Sequence, residues 1–288
     1  MAKKRSSGPP KPLVPSAMKS LKRARHVTSE FHRIQRELNA VAGGGTGAKG
    51  RSNAHGSSVH SKKELEQQLE GLGGRQAYQE ASVLTTQRHR TCKWVFAVLT
   101  KRGMRPGKNE SPLKLLEVGA VNTQLLSVPW LNVRAIDIKS QHPRIEQKNF
   151  FDIKAKQLYT VVVCSMVLNC VATAAKRGKM LALAHAHLKP GGYFFLMIPR
   201  RCIENSPFCD EKILTQSLDA LGMQVIDQKM SPKLAFFCVQ RVEGKSPDQT
   251  RMKKFPNPPK VKVRSSERVL NDQFGISFHE ETMEGIDT

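Results

Sequence analysis

Acidic residues are scarce in this chain of 288: 24 Asp and Glu stand against 47 Lys and Arg, for a net charge of +23. A surface so short of carboxylates repels cationic partners and draws phosphate-rich ones through counterion release and diffusional steering. The six cysteines, Cys92, Cys164, Cys170, Cys202, Cys209 and Cys238, form no CxxC pair, so dithiol and common zinc motifs are absent. Buried, reduced thiols in a cytosolic or nuclear protein fit best. None of the nine histidines has metal-ligand spacing, and no metal is expected. The longest nearly apolar run, residues 159–171, contains Ser and Asn and is too short for a bilayer. No apolar stretch follows Met1-Ala-Lys-Lys-Arg5, so no signal peptide is read, and a soluble chain with no membrane partner is expected.

The basic excess is unevenly placed. Residues 1–63 carry fourteen basic and two acidic side chains, residues 241–270 nine and three, and the last eighteen residues five acids with no Lys or Arg. With core and flanks basic, the expected partner is nucleic acid rather than a merely solubilising shell of water.

Residues 1–16 hold little that can be buried and read as disordered. Val27, Phe31, Ile34, Leu38 and Val41 then form one apolar stripe on a helix whose other face holds Lys22, Arg23, Arg25, Arg33 and Arg36. That helix either packs on the domain or docks RNA. Residues 43–59 are a Gly/Ser/His-rich linker. Ser61-Lys-Lys-Glu64 has the form of a capping box opening a short helix, and a longer helix is expected over about 75–101.

Leu113-Lys-Leu-Leu-Glu-Val-Gly119 reads as a buried strand running into a glycine turn. Eighteen residues beyond Gly119, the strand Val133-Arg-Ala-Ile-Asp-Ile138 carries Asp137 at the spacing that places a carboxylate on ribose hydroxyls. Asn149-Phe-Phe-Asp-Ile153 sets Phe151 beside Asp152, a ring to lie on adenine and an acceptor for its amine. Further strands are expected at 159–164 and 193–198, helices over 173–187 and 211–221, and a closing hairpin from 223–227 and 234–239. Pro199-Arg-Arg-Cys-Ile-Glu-Asn-Ser206 reads as a loop in which Asn205 and Ser206 line a pocket or cap the next helix, capping being favoured.

Alternating strands and helices closed by a hairpin describe an α/β fold, a doubly wound, mostly parallel sheet with a reversed last strand and a helical N-terminal extension. In such sheets ligands bind at the carboxyl ends of the strands, where Gly119, Asp137, Asp152, Ser165 and Pro199 all fall. The expected divisions are a basic extension at 1–60, a helical part at 61–110, the sheet domain at 111–242, and a largely disordered tail at 243–288, basic and then acidic.

At these residues the sequence resembles the Rossmann-like S-adenosylmethionine-dependent methyltransferases. Leu116-Glu-Val-Gly119 is similar to their first motif, although Ala120 and Val121 stand where further glycines are common. A nearer resemblance, carried by Gly73-Gly-Arg-Gln-Ala-Tyr-Gln-Glu-Ala-Ser82, Leu116-Glu-Val-Gly119, Ser165-Met-Val-Leu-Asn-Cys-Val171 and Pro199-Arg-Arg-Cys-Ile-Glu-Asn-Ser206, is to the fungal nucleolar 25S ribosomal RNA adenine-N(1) methyltransferases. It implies S-adenosyl-L-methionine as cofactor, with Gly119, Asp137 and Asp152 as its contacts; Glu117, beside Gly119, and Phe151, beside Asp152, complete the candidate cofactor site. It also implies ribosomal RNA in a pre-60S particle as partner and the nucleolus as location. Ser165 and Asn169 are the candidate catalytic, base-edge contacts; the competing reading has them satisfy backbone groups at a strand end. Arg200 and Arg201 are candidate phosphate contacts or solvated loop arginines. Two other readings stay open: a catalytically inactive methyltransferase fold serving as an RNA-binding assembly scaffold, and a nicotinamide dehydrogenase, which the missing Gly-x-Gly-x-x-Gly disfavours.

Overall fold

The structure, a computed structural model, describes residues 18, 20–42, 61–86, 91–140, 142–255 and 274–278. The expected disorder of 1–16, the linker at 43–59 and the acidic end of the tail lie outside the described residues. The chain falls into two units, Met1–Arg90 and Thr91–Thr288.

The first unit holds helices α1 (Leu21–Ala42), α2 (Lys62–Gly71) and α3 (Gly74–Thr86). The stripe on α1 buries Ala24 and Val27 with Ala81 of α3, while Phe31 stacks on Tyr78 at a centroid distance of 4.1 Å. Leu38 is half-buried, and the Val41 and Arg36 side chains lie outside the described residues. Arg33, on the polar side, is held by Glu30, Glu37 and Gln68, whereas Lys22, Arg23 and Arg25 are exposed. The capping box of α2 is formed in both directions: Glu64 N donates to Ser61 Oγ at 3.2 Å, and Ser61 N to Glu64 Oε2 at 2.7 Å. Two expectations change here. Helix α1 packs with α2 and α3 rather than belonging to a separate extension. The single helix expected over 75–101 is two, because Ala81 faces α1 whereas Val95, Val98 and Leu99 serve the sheet.

The second unit opens with α4 (Thr91–Lys101), then β1 (Leu113–Val118), β2 (Leu131–Asp137), β3 (Glu146–Gln147), β4 (Tyr159–Ser165), α5 (Ala174–His187), β5 (Leu188–Pro199), α6 (Arg201–Glu204), α7 (Glu211–Ala220), β6 (Met223–Met230), β7 (Leu234–Arg241) and α8 (Gln249–Met252). The strands form one sheet in the order β3-β2-β1-β4-β5-β7-β6. Strands β1 to β5 are parallel, and β7 runs antiparallel to both neighbours. That is the doubly wound sheet with its reversed last strand. Alternation along β1 divides the core: Leu116 and Val118 join Leu181, Phe194 and Leu218 on one face, while Leu115 faces Val95, Val98 and Leu99 of α4. Successive strand residues point to opposite faces, so Glu117 shares the α4 side with Leu115.

Two stretches of the tail expected beyond residue 242, residues 243–255 and 274–278, are part of the fold. Asp219 on α7 pairs with Lys245 and Arg251, Asp248 caps α8, and Met252 is buried. Residues 274–278 return to the same core, where Phe274, Ile276 and Phe278 are buried. Burying three such side chains favours docking by about 1.5–3 kcal/mol each, opposed by the entropy of fixing the backbone. The alternation Phe-Gly-Ile-Ser-Phe carries this signal, which the surrounding charge masked.

Candidate functional site

Strands β1 and β4 are adjacent, with Val118 paired to Cys164, so the chain leaves both at the same edge. Gly119, at φ +74°, occupies the left-handed region that side chains avoid. A Cβ there would lie 2.2 Å from Cγ2 of Val167, in the turn after β4. The Gly119 and Ala120 amides both donate to Ile136 O, at 2.8 and 2.9 Å. Residues 119–130 then reach β2 through turns alone, with no helix. A dinucleotide fold needs those amides and a helix N-terminus for its pyrophosphate. Here the amides are consumed and the helix is absent, which weighs against the dehydrogenase reading.

Glu117, two residues before Gly119, is buried, and its Oε2 has no hydrogen-bond partner among the described residues. Loss of hydration pushes its carboxyl up to about 8. Nearby, Cys92 on the first turn of α4 donates to Gln124 Oε1 at 2.7 Å, and burial together with the Glu117 charge pushes its thiol up. At the end of β2, Asp137 Oδ1 accepts from Lys139 N at 2.8 Å, and Lys148 N donates to Asp137 O at 2.9 Å. The second bond brings the turn at Phe150–Asp152 beside Asp137. Asn149 Oδ1 accepts from Phe151 N at 3.3 Å and caps that turn. Phe151 is packed against the core and Asp152 is exposed.

The other side of the site follows β4. Ser165 Oγ donates to Thr91 Oγ1 at 3.1 Å, which ties the strand end to α4 and leaves the Ser165 oxygen able to accept. Met166 turns through φ +62°, uncommon for a side-chain-bearing residue, and this turn sets Val167 over Gly119. Asn169 lies in the one-turn helix Leu168–Cys170; its Nδ2 donates to Cys170 Sγ at 3.4 Å, and its buried Oδ1 has no partner among the described residues. The site therefore presents two buried, unpartnered acceptors, Glu117 Oε2 and Asn169 Oδ1, just inside and just beyond the ends of neighbouring strands. A buried acceptor without a donor costs about 1–3 kcal/mol, a cost a ligand with donors removes.

After β5 the chain forms α6 rather than the expected loop. Arg200 is held by Glu204 and donates to Ser231 O at 3.4 Å, so much of its charge is spent inside the fold; Arg201 is exposed. Asp210, not Asn205 or Ser206, caps the following helix. Ser206 Oγ donates instead to Phe274 O at 2.6 Å. Thr91, Met166 and Arg177 were missed from the sequence. Their importance comes from partners distant along the chain, and an isolated Thr, Met or Arg carries no local signal of them.

The residues fit S-adenosylmethionine. Its ammonium would supply donors for the orphaned Oε2 of Glu117, and its ribose two hydroxyls for the Asp137 side chain at the end of β2. The family described as 25S rRNA (adenine(2142)-N(1))-methyltransferase, Bmt2, matches residues 63–268, well over half of the chain. The chain belongs to this family. A 25S rRNA (adenine(2142)-N(1))-methyltransferase of Saccharomyces cerevisiae is 27% identical over 222 residues, covering 73% of this chain and 62% of that protein. A 25S rRNA adenine-N(1) methyltransferase of Schizosaccharomyces pombe is 29% identical over 204 residues, covering 66% of this chain and 74% of that protein. The chain thus matches under two thirds of the budding-yeast relative's length. Among solved structures, a variant of the 16S rRNA (adenine(1408)-N(1))-methyltransferase from Catenulisporales acidiphilia is similar at a TM-score of 0.36 and 17% identity, covering 47% of this chain and 88% of that one.

Proposed function

We propose that this family member is an S-adenosylmethionine-dependent enzyme that methylates N1 of an adenine in large-subunit ribosomal RNA. The observation that carries the proposal is the pair of buried acceptors at adjacent strand ends that have no partner among the described residues. Glu117 Oε2 is suited to a cationic ammonium, and Asn169 Oδ1 to the exocyclic amine beside adenine N1. Asp137 receives the ribose hydroxyls, and Phe151 and Asp152 flank the cofactor's own adenine. When bound, the cofactor supplies a methyl group on a sulfonium centre.

Adenine N1 presents an in-plane lone pair, so no general base is needed before attack. The chain's contribution is alignment, with Asn169 and the Ser165 oxygen holding the base edge, and tolerance of a cationic product beside acceptor oxygens. N1 lies on the pairing edge, so the substrate adenine must be unpaired or flipped out, at a cost of a few kcal/mol. Exposed Lys22, Arg23 and Arg25 of the first unit and exposed Arg201 of the second are the candidate phosphate contacts, which supply affinity rather than sequence choice. Action on a pre-60S particle during ribosome biogenesis, in the nucleus and nucleolus, belongs to the same proposal and is supported by the basic composition and the family.

The test incubates the full chain with S-adenosylmethionine and large-subunit RNA lacking the mark, digests to nucleosides, and separates 1-methyladenosine from its N6 isomer. Label in 1-methyladenosine supports the proposal. Label in N6-methyladenosine, cytosine or protein overturns it, and cofactor binding without any transfer favours an inactive scaffold.

A further inference from the structure

The segment 274–278 lies about a hundred residues beyond the loop that follows β4, yet it is bonded to both loops that border the acceptor side of the site. Its first tie is Arg177 on α5, a buried arginine. Nε of Arg177 donates to Val171 O, at the end of the loop carrying Ser165 and Asn169, at 3.1 Å, and Nη1 donates to Gly275 O at 2.7 Å. The guanidinium lies over the Phe274 ring, 4.8 Å from its centroid. One rigid planar group thus joins the acceptor loop to the C-terminal segment, a geometry a lysine ammonium does not reproduce.

The second tie is Ser206, whose hydroxyl donates to Phe274 O at 2.6 Å and accepts from Phe208 N at 3.2 Å, fixing the end of the stretch after β5. The segment is further seated by Ser277 N on Ala174 O at 3.2 Å and Phe278 N on Phe255 O at 3.2 Å. Gly178 admits it: a Cβ there would lie 2.0 Å from Ser277 O. None of these contacts reaches Glu117, Gly119, Asp137 or Asp152.

We infer that the 274–278 segment is the device that positions the acceptor loops, with Arg177 and Ser206 as positioning residues acting through it. The inference rests on the methyltransferase reading. It holds Asn169 and the β5 exit at a fixed separation, so that the base is presented in line, and it leaves cofactor affinity to the other half of the site. Small displacements of reacting groups cost large factors in rate, about a hundredfold for 1 Å.

The experiment compares the full chain with Ser206→Ala, Arg177→Lys and a chain ending at Gln273. It measures the cofactor Kd by calorimetry, and kcat and KM for unmodified large-subunit RNA. The expected result is a fall in kcat of about tenfold or more, with cofactor Kd within about twofold and with Ser206→Thr restoring the rate through its hydroxyl. A kcat within about twofold of the parent in Ser206→Ala and Arg177→Lys, or a parallel loss of cofactor affinity, overturns it. Backbone hydrogen exchange on the same proteins tests the tie even if the parent transfers no methyl group, which would sink the methyltransferase reading alone. Exchange should quicken at Cys170, Val171, Glu204 and Asn205 and stay unchanged at Gly119 and Ala120. Uniform quickening, or none, contradicts the inference.

Discussion

The two halves of the candidate site are built differently. Around β1 and β2 the cofactor-side groups sit at strand ends and are fixed by near neighbours: Gly119 and Ala120 by Ile136 O, Asp137 by Lys139, Phe151 by Asn149. Around β4 and β5 the acceptor-side loops are fixed by groups far along the chain, Ser165 by Thr91, Val171 through Arg177 to Gly275, and Ser206 to Phe274. The connections themselves do not differ in this sense, 119–130 and 138–145 on one side and 166–173 and 200–210 on the other, so the contrast lies in where the tethers come from. A tether from a distant segment removes a loop's freedom only once that segment has docked.

The largest effect should come where the halves touch. Gly119→Arg places a side chain in a left-handed conformation and against Val167, and cofactor binding by calorimetry should fall below detection. Retained affinity would mean the cofactor does not approach this turn.

Next, Gly178→Val drives carbon into Ser277 O and should expel the 274–278 segment. Losing burial of its three large apolar side chains should lower stability by about 2–5 kcal/mol in a denaturant titration, while cofactor Kd measured well below the midpoint stays near the parent value. Loss of cofactor affinity in proportion to stability would erase the contrast between the halves.

Asp137→Ala is the converse, a cofactor-side change that leaves the acceptor loops alone. Each charge-assisted bond lost is worth about 1.5–3 kcal/mol, so Kd should rise at least tenfold with the unfolding midpoint little altered. An unchanged Kd would remove Asp137 from the site.

The smallest and most specific effect is one of pH. Glu117 keeps its proton up to about 8 when folded and would release it near 4.5 when unfolded, so its contribution to stability is complete below 4.5 and is lost as pH rises through 8. A cationic ligand prefers the ionised form, so cofactor affinity should rise from pH 6 to 8 with proton release on binding. In Glu117→Gln affinity should be weaker and flat with pH, and stability at pH 8 higher than the parent's. Parallel pH profiles in parent and variant would place Glu117 outside the pocket.

The strand run ending in Gly119 and the acid eighteen residues later were legible because each is a local pattern: apolar periodicity, a required left-handed turn, a fixed spacing. The same locality made the α2 capping box readable. The packing of 243–255 and 274–278 was not legible because composition averages over a window, and three buried apolar residues are lost among lysines and acids. Likewise Ser206 resembled a helix cap until Phe274 gave its hydroxyl a partner 68 residues away. By itself the sequence determined the order of the main strands of the sheet and the helices between them, the glycine turn, and the acids at the strand ends, since these depend on backbone conformation and near neighbours. Only the tertiary structure decided that Glu117 and Asn169 are left with buried acceptors and that residue 274 steadies residue 206. Burial and the pairing of distant groups exist only once the chain has closed on itself.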